Sequence, residues 1–235
     1  MDNSTRVQYL EAMGIDVWVS RTDQQVEDVQ LKNNDEFELG EPANRQAESI
    51  EENWTELRRE VVECQKCALC HTRTQTVFGE GHIDADWMLI GEAPGQNEDL
   101  EGKPFLGQSG FLLTEMLRAI GLQREQVFIT NVLKCSPPNN KDPKVDELKS
   151  CHDFLQRQIA LVKPKIILAV GRVSAQTLLG TKQPLSELRG EPHQINGIPL
   201  VVVYHPAYLL RSLLEKRKAW QDLQLAMKIY QEEKL

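Results

Sequence analysis

Three segments of this chain carry residue types whose spacing suits chemistry. The first is Gly91–Gly107, GEAPGQNEDLEGKPFLG, set between the apolar run Trp87–Ile90 and the amphipathic run Phe111–Ile120. Strand, loop and helix in that order place the loop at the carboxyl end of a strand, where α/β proteins bind ligands. The loop has no Lys and no Ser or Thr where a phosphate-cradling P-loop needs them. It gathers Glu92, Glu98, Asp99 and the aromatic plate of Phe105 instead, and carboxylates beside such a plate suit a flat, polar ring. The second segment follows strand-like Val127–Thr130. Asn131 there offers an amide donor and a carbonyl acceptor together, a pairing that matches a pyrimidine edge. The third runs from strand-like Leu200–Tyr204 into His205-Pro206-Ala207-Tyr208-Leu209-Leu210-Arg211. His205 can donate a hydrogen bond to an oxygen that gains charge. Leu209 or Leu210 can wedge into a base stack, and Arg211 can hold a phosphate. His71, His82, His152 and His193 lack this setting and read as surface or loop residues.

The five cysteines form a second chemical signal: Cys64, Cys67 and Cys70 are spaced C-x2-C-x2-C, and Cys135 and Cys151 follow far along the chain. C-x2-C puts two thiolates on one turn, and four thiolates suit zinc or an iron–sulfur cluster. Spacing alone does not separate the two. Cys135 lies four residues after Asn131, so a metal centre there would brace the loop that carries Asn131.

The elements that must position these residues alternate. A helix from about Glu48 to the cysteines buries Trp54, Leu57 and Val61. Gly110–Ile120, Lys144–Val162, Val173–Leu179 and Glu215–Lys234 read as further helices, the last with Trp220, Leu223 and Met227 inward. Lys165–Val170, KIILAV, is a continuous apolar run of the kind buried on both faces of a parallel sheet. Strands separated by helices predict an α/β fold. Ahead of it, residues 4–14 read as a short amphipathic helix within an N-terminal segment 1–20. Residues 21–47, polar and poor in aromatics, read as a disordered acidic linker.

Charge is divided the same way. The formal net charge is −8, but residues 1–63 carry 16 acidic and 6 basic side chains and residues 64–235 carry 19 and 21. An acidic arm therefore precedes a slightly basic body, and the whole-chain charge does not exclude a nucleic-acid partner for that body. The arm suits solvation, competition with DNA, or a basic protein partner. No apolar run approaches the ~20 residues that span a bilayer, and the N-terminus lacks the pattern of a signal peptide. The expectation is a cytoplasmic protein with no membrane partner, whose cysteines serve metal or redox chemistry rather than disulfides.

Taken together, GEAPG-x-x-ED at 91–99, KPFLG at 103–107, NVLKC-x-PP at 131–138 and HPAYLLR at 205–211 resemble the motifs of the family-4 uracil-DNA glycosylases, the iron–sulfur type of bacteria and archaea. Cys64-x2-Cys67 followed by RTQTVFGEG at 73–81 belongs to the same pattern, so the likeness spans about residues 50–230. The resemblance implies a three-layer α/β/α sandwich around a four-stranded parallel sheet, in a domain covering residues 48–235. It implies a [4Fe–4S] cluster on Cys64, Cys67, Cys135 and Cys151, with Cys70 spare. It implies a monomer that flips deoxyuridine out of single- or double-stranded DNA and hydrolyses its glycosidic bond, in the bacterial cytoplasm at the nucleoid. Phe105 then stacks on uracil, Asn131 reads its polar edge, and His205 faces the carbonyl that becomes negative. Ala93 stands where better-known uracil glycosylases have Asp, so water activation falls on Glu92, Glu98 or backbone carbonyls. Glu98 also stands where it can crowd thymine's methyl. Asn139 replaces a frequent Gly, and Asn tolerates the left-handed backbone that Gly would supply. Two rival readings are a relative that traps uracil covalently through an inserted Arg- and His-rich loop, for which Gln108-Ser109-Gly110 leaves no room, and a non-catalytic iron–sulfur DNA-binding module.

Overall fold

The computed structural model describes residues 43–232. The expected helix at 4–14 and the linker up to residue 42 lie outside them. Helix α1 begins at Ala43 and runs to Val62, so the end of the expected linker is helical.

The centre of the molecule is a six-stranded sheet ordered β1-β3-β2-β4-β6-β5. Its four middle strands are β2 (Trp87–Gly91), β3 (Phe128–Asn131), β4 (Ile166–Val170) and β6 (Ile198–Val203). They are mutually parallel, with Gly91 opposite Asn131, Ile90 opposite Ala169 and Val170 opposite Val203. Two antiparallel strands, β1 (Glu80–Gly81) and β5 (Pro192–Ile195), extend the expected four parallel strands at the two edges. β5 and β6 are joined by the hairpin turn Asn196-Gly197, both at positive φ and both exposed.

Alternation along each inner strand divides the core. Met88, Ile90, Phe128, Ile167, Ala169, Leu200 and Val202 face one layer. Trp87, Leu89, Ile129, Ile166, Leu168, Val170, Val201 and Val203 face the other. Covering both faces is what makes every position of these runs apolar. The first layer holds α1, α4 (Val145–Val162), α5 (Arg172–Leu179) and the short α6 (Leu185–Leu188). Trp54, Leu57 and Val61 bury the α1 face as the spacing predicts, and Arg157 of α4 grips Glu60 through two hydrogen bonds of 2.6 and 2.7 Å.

The second layer holds α3 (Gly107–Ala119), α7 (Pro206–Arg211) and α8 (Lys216–Glu232). α8 turns Leu223 and Met227 toward the core as expected, beside buried Ala219 and Ala226, whereas Trp220 is 41% exposed and corrects the expectation for that residue. No described helix is long and apolar enough to cross a membrane.

Candidate active site

The chain visits β3 on one side of β2 and then β4 on the other, which leaves a crevice at the carboxyl ends where the winding reverses. A cleft of about 980 Å³ opens there. Loops after all four parallel strands line it, contributing Glu92, Ala93, Phe105, Asn131, Gly171 and His205 among others. Three segments far apart in sequence therefore meet as expected. The loop after β2 is not irregular throughout, because it contains a one-turn-and-a-half helix, α2 (Gln96–Glu101), ended by Gly102 in a left-handed cap.

Phe105 is 6% exposed and has φ 52°. A non-glycine residue in that region stores on the order of 1–3 kcal/mol of strain, which neighbouring structure must hold in place. Two glycines make room for it. A Cβ on Gly91 would lie 2.5 Å from Phe105 Cζ and 2.3 Å from Asn131 Oδ1, and one on Gly110 would lie 1.8 Å from the Phe105 carbonyl oxygen. Glu98 clamps the same turn, since its Oε1 accepts the Leu106 N–H at 2.8 Å. Asp99 reaches the other way and accepts the Thr74 N–H at 2.8 Å.

Asn131 ends β3, 2% exposed and on the cleft wall. Among the described residues no hydrogen bond engages its side-chain amide, whose donor and acceptor are open to a ligand. Its loop is sewn to the preceding one by Val132 N–H to the Gly91 carbonyl at 2.9 Å and Leu133 N–H to the Glu92 carbonyl at 3.0 Å. Further on, Asn139 adopts φ 57°, ψ 28°, the left-handed conformation its replacement of Gly requires.

His205 caps α7, with Nδ1 accepting the Ala207 N–H at 3.1 Å. In a neutral imidazole that bond leaves the proton on Nε2, making it a donor. Burial, reinforced by the charge of Arg211, pushes the His205 pKa down to about 4, so the neutral form prevails near pH 7. The imidazole stacks on Phe105 with ring centres 5.6 Å apart and planes at 26°. Glu92 is half-buried, and no hydrogen bond among the described residues engages its carboxylate. Burial raises its pKa, Asp142 raises it further and Arg172 opposes them.

The Leu209 position is corrected. It is 1% exposed and belongs to the core beneath α7, so it cannot wedge into a base stack. Leu210 is 38% exposed and lines the cleft with Arg211. Sequence reasoning missed Lys141 and Arg172 on the cleft wall, and Leu214, 92% exposed just beyond α7. Lys141 lies beyond the Pro137-Pro138 turn and Arg172 opens α5 after a strand end, a placement that could have flagged both. His193 is also not a loop residue: it lies on β5 and its Nε2 is 2.7 Å from the Leu188 carbonyl.

Cys135 and Cys151 are buried with Leu69 and Leu133, and Cys67 packs against them. Arg73 joins the two cysteine segments: Nη1 donates to Cys135 Sγ at 3.0 Å and Nη2 to the Cys64 carbonyl at 2.8 Å. Burial pushes the Cys135 thiol up to about 11 against the pull of Arg73, and it raises Cys151 as well. Among the described residues no group of three or more His, Cys, Asp or Glu side chains is placed to hold a metal ion. The donors that do converge are sulfurs, with a guanidinium beside them and no carboxylate bonded to them.

Comparison with known proteins agrees with this arrangement. The family model described as the uracil DNA glycosylase superfamily matches residues 78–224. A type-4 uracil-DNA glycosylase of Archaeoglobus fulgidus is 42% identical over 167 residues, covering 68% of this chain and 84% of that protein. One from Saccharolobus solfataricus is 46% identical over 171 residues, covering 67% and 79%. A type-5 uracil-DNA glycosylase of Thermus thermophilus is 30% identical over 149 residues, covering 55% and 68%. With a superfamily match over most of the sheet and these type-4 likenesses over two thirds of its length, the chain belongs to the uracil DNA glycosylase superfamily and, within it, to the type-4 family.

Proposed function

We propose that this chain is a uracil-DNA glycosylase, a DNA repair hydrolase that takes deoxyuridine out of the base stack, cleaves its N-glycosidic bond and leaves an abasic site. Flipping the nucleotide costs a few kcal/mol, which contacts in the cleft must return. Phe105 offers the ring on which uracil stacks, and the free Asn131 amide reads its polar edge. Bond cleavage places positive charge on the sugar and negative charge on uracil. The observation that carries the reading is the neutral His205, whose occupied Nδ1 leaves Nε2–H to meet the oxygen that becomes negative. A preorganised donor of that kind acts only on charge that develops in the transition state.

Of the two carboxylates, Glu92 suits water positioning better. Glu98 Oε1 already holds the Leu106 N–H, while Glu92 lines the cleft with a raised pKa. Leu210 and Arg211 stand at the cleft, where Leu210 can fill the gap left by a flipped base and Arg211 can meet the DNA backbone. Lys141 and Arg172 add positive charge to the same wall.

The cysteines suit a [4Fe–4S] cluster held by Cys64, Cys67, Cys135 and Cys151. Their all-sulfur chemistry and the Arg73 guanidinium favour a thiolate-bound anionic group. Such a cluster would supply a structural brace between the end of α1, the Asn131 loop and α4. This reading keeps the protein a cytoplasmic DNA-binding monomer, with the acidic arm left to a protein partner.

The test is release of uracil. Wild-type protein is incubated with a uracil-containing oligonucleotide and then with alkali, which breaks the strand at abasic sites. Strand breaks at uracil are expected, with His205→Ala slower by about 10²–10³. Absence of breaks with wild-type protein, or equal rates for the two proteins, overturns the reading.

A further inference from the structure

Behind Asn131 lies a buried side chain that the proposed reaction leaves unused. Lys134 is 1% exposed, and among the described residues it makes no ion pair with a carboxylate. Its Nζ donates to three neutral acceptors: Thr130 Oγ1 at 2.7 Å, the Asn131 carbonyl at 2.7 Å and Gln158 Oε1 at 2.6 Å. These acceptors are held from behind as well, since Thr130 Oγ1 donates to the Phe78 carbonyl at 2.9 Å and Gln158 Nε2 donates to the same oxygen at 2.9 Å. The ammonium thus closes the end of β3 onto α4 and fixes the peptide that carries the base-reading amide.

An ammonium fully withdrawn from water is costly unless hydrogen-bonded and offset by negative charge. The hydrogen bonds are present. Three donated bonds need all three protons of the ammonium, while burial works against its charge. Lys134 has chain neighbours, Leu133 and Cys135, that pack with Cys151 in one buried group. Its carbonyl accepts the Val77 N–H at 2.8 Å, which ties in the segment after the first cysteines. One residue is therefore bonded to the Asn131 peptide by its side chain and flanked along the chain by members of the cysteine group.

We infer that Lys134 is a positioning residue for base recognition: its ammonium sets the Asn131 peptide at the angle that lets the amide read uracil. This inference rests on the proposed glycosylase reading and on Asn131 as the base reader. It accounts for why a lysine occupies a site with no acidic partner, three residues beyond Asn131 in sequence and next to Cys135.

The test uses Lys134→Met, which keeps chain length and apolar stem but removes the charge and its three donated bonds. Gln158→Met disturbs the same buried group from the α4 side while leaving the ammonium on the Asn131 carbonyl. Each holoprotein is assayed for product inhibition by free uracil, for affinity to uracil-free single-stranded DNA, and for iron content and melting temperature. Expected for Lys134→Met is about a 10-fold weaker inhibition by uracil, with affinity for uracil-free DNA and iron content unchanged. Gln158→Met is expected to stay within about twofold of wild type in uracil inhibition. Wild-type uracil inhibition in Lys134→Met overturns the inference, and so does an equal loss in Gln158→Met, which would mark a general packing effect. If Lys134→Met does not fold, Lys134→Gln, which retains an N–H donor without charge, enters the same comparison against Gln158→Met. A wild-type protein that releases no uracil defeats the glycosylase reading, whereas an active wild type with an unaffected Lys134 variant defeats only this inference.

Discussion

A single hydrogen bond determines how His205 can act. Because Nδ1 accepts from the Ala207 backbone, the neutral ring presents a proton on Nε2, and burial keeps the ring neutral down to about pH 4. Glu92 follows the opposite sign. Its active form is the anion, and its pKa is raised above the ordinary 4.5 by burial. As pH falls, Glu92 therefore gains its proton before His205 does. The expected pH–rate profile has an acid limb that belongs to Glu92. His205→Gln should lower kcat by about 10²–10³ and leave that limb where it was, while Glu92→Gln should remove it. A limb that moves with His205→Gln would show that the imidazole titrates in the working range. The residue types here are legible in the sequence, but the tautomer is not, because it depends on how the chain turns at Pro206. Nor is the choice between Glu92 and Glu98, which depends on a hydrogen bond across the loop.

At the scale of elements, α7 shows where pattern reading succeeds and fails. HPAYLLR announces a site, yet its two adjacent leucines look equivalent in sequence and the helix separates them. Leu209 faces the core and Leu210 the cleft. Leu209→Ala should lower stability by about 2–5 kcal/mol and leave the DNA affinity of the folded protein unaltered. Leu210→Ala should leave the melting temperature nearly unchanged and slow cleavage more in double-stranded than in single-stranded substrate, where no stack has to be held open. Chemical denaturation and rates on paired and unpaired oligonucleotides distinguish the two. The parallel strands are legible because each is an unbroken apolar run flanked by helices. β1 and β5 are not, since one has two residues and the other alternates between exposed and half-buried positions. On α8 only Trp220 is misread: an aromatic there suggests the inward side, but small residues at 219 and 226 let α8 approach the sheet instead, with Leu223 and Met227 inward as expected.

The molecule as a whole is held partly by an ion pair behind the cleft wall. Arg189, just after α6, and Asp222 of α8 form an ion pair with side chains 9% and 1% exposed. Arg189 also lies over the Tyr204 ring at 4.1 Å, one residue before His205. Removing one partner of such a buried pair typically costs about 3–5 kcal/mol, whereas replacing both with apolar residues is often neutral or stabilising. Asp222→Asn should therefore melt well below wild type, and Arg189→Met combined with Asp222→Leu should recover most of the loss. A double variant no more stable than the single one would mean that the pair is needed for more than charge balance. The layered plan is readable from periodicity, but this pair joins residues 33 positions apart and no local pattern points to it.

The hairpin turn Asn196-Gly197 has a practical consequence. All the loops that build the cleft leave the carboxyl ends of the parallel strands, while this turn enters β6 at its amino end, on the opposite side of the sheet. Both residues are exposed, and neither lines the cleft that holds Phe105, Asn131 and His205. Residues 196–197 are thus the attachment point for a fluorophore, a surface tether or an inserted peptide, letting the enzyme be immobilised with its DNA-facing side turned toward solution.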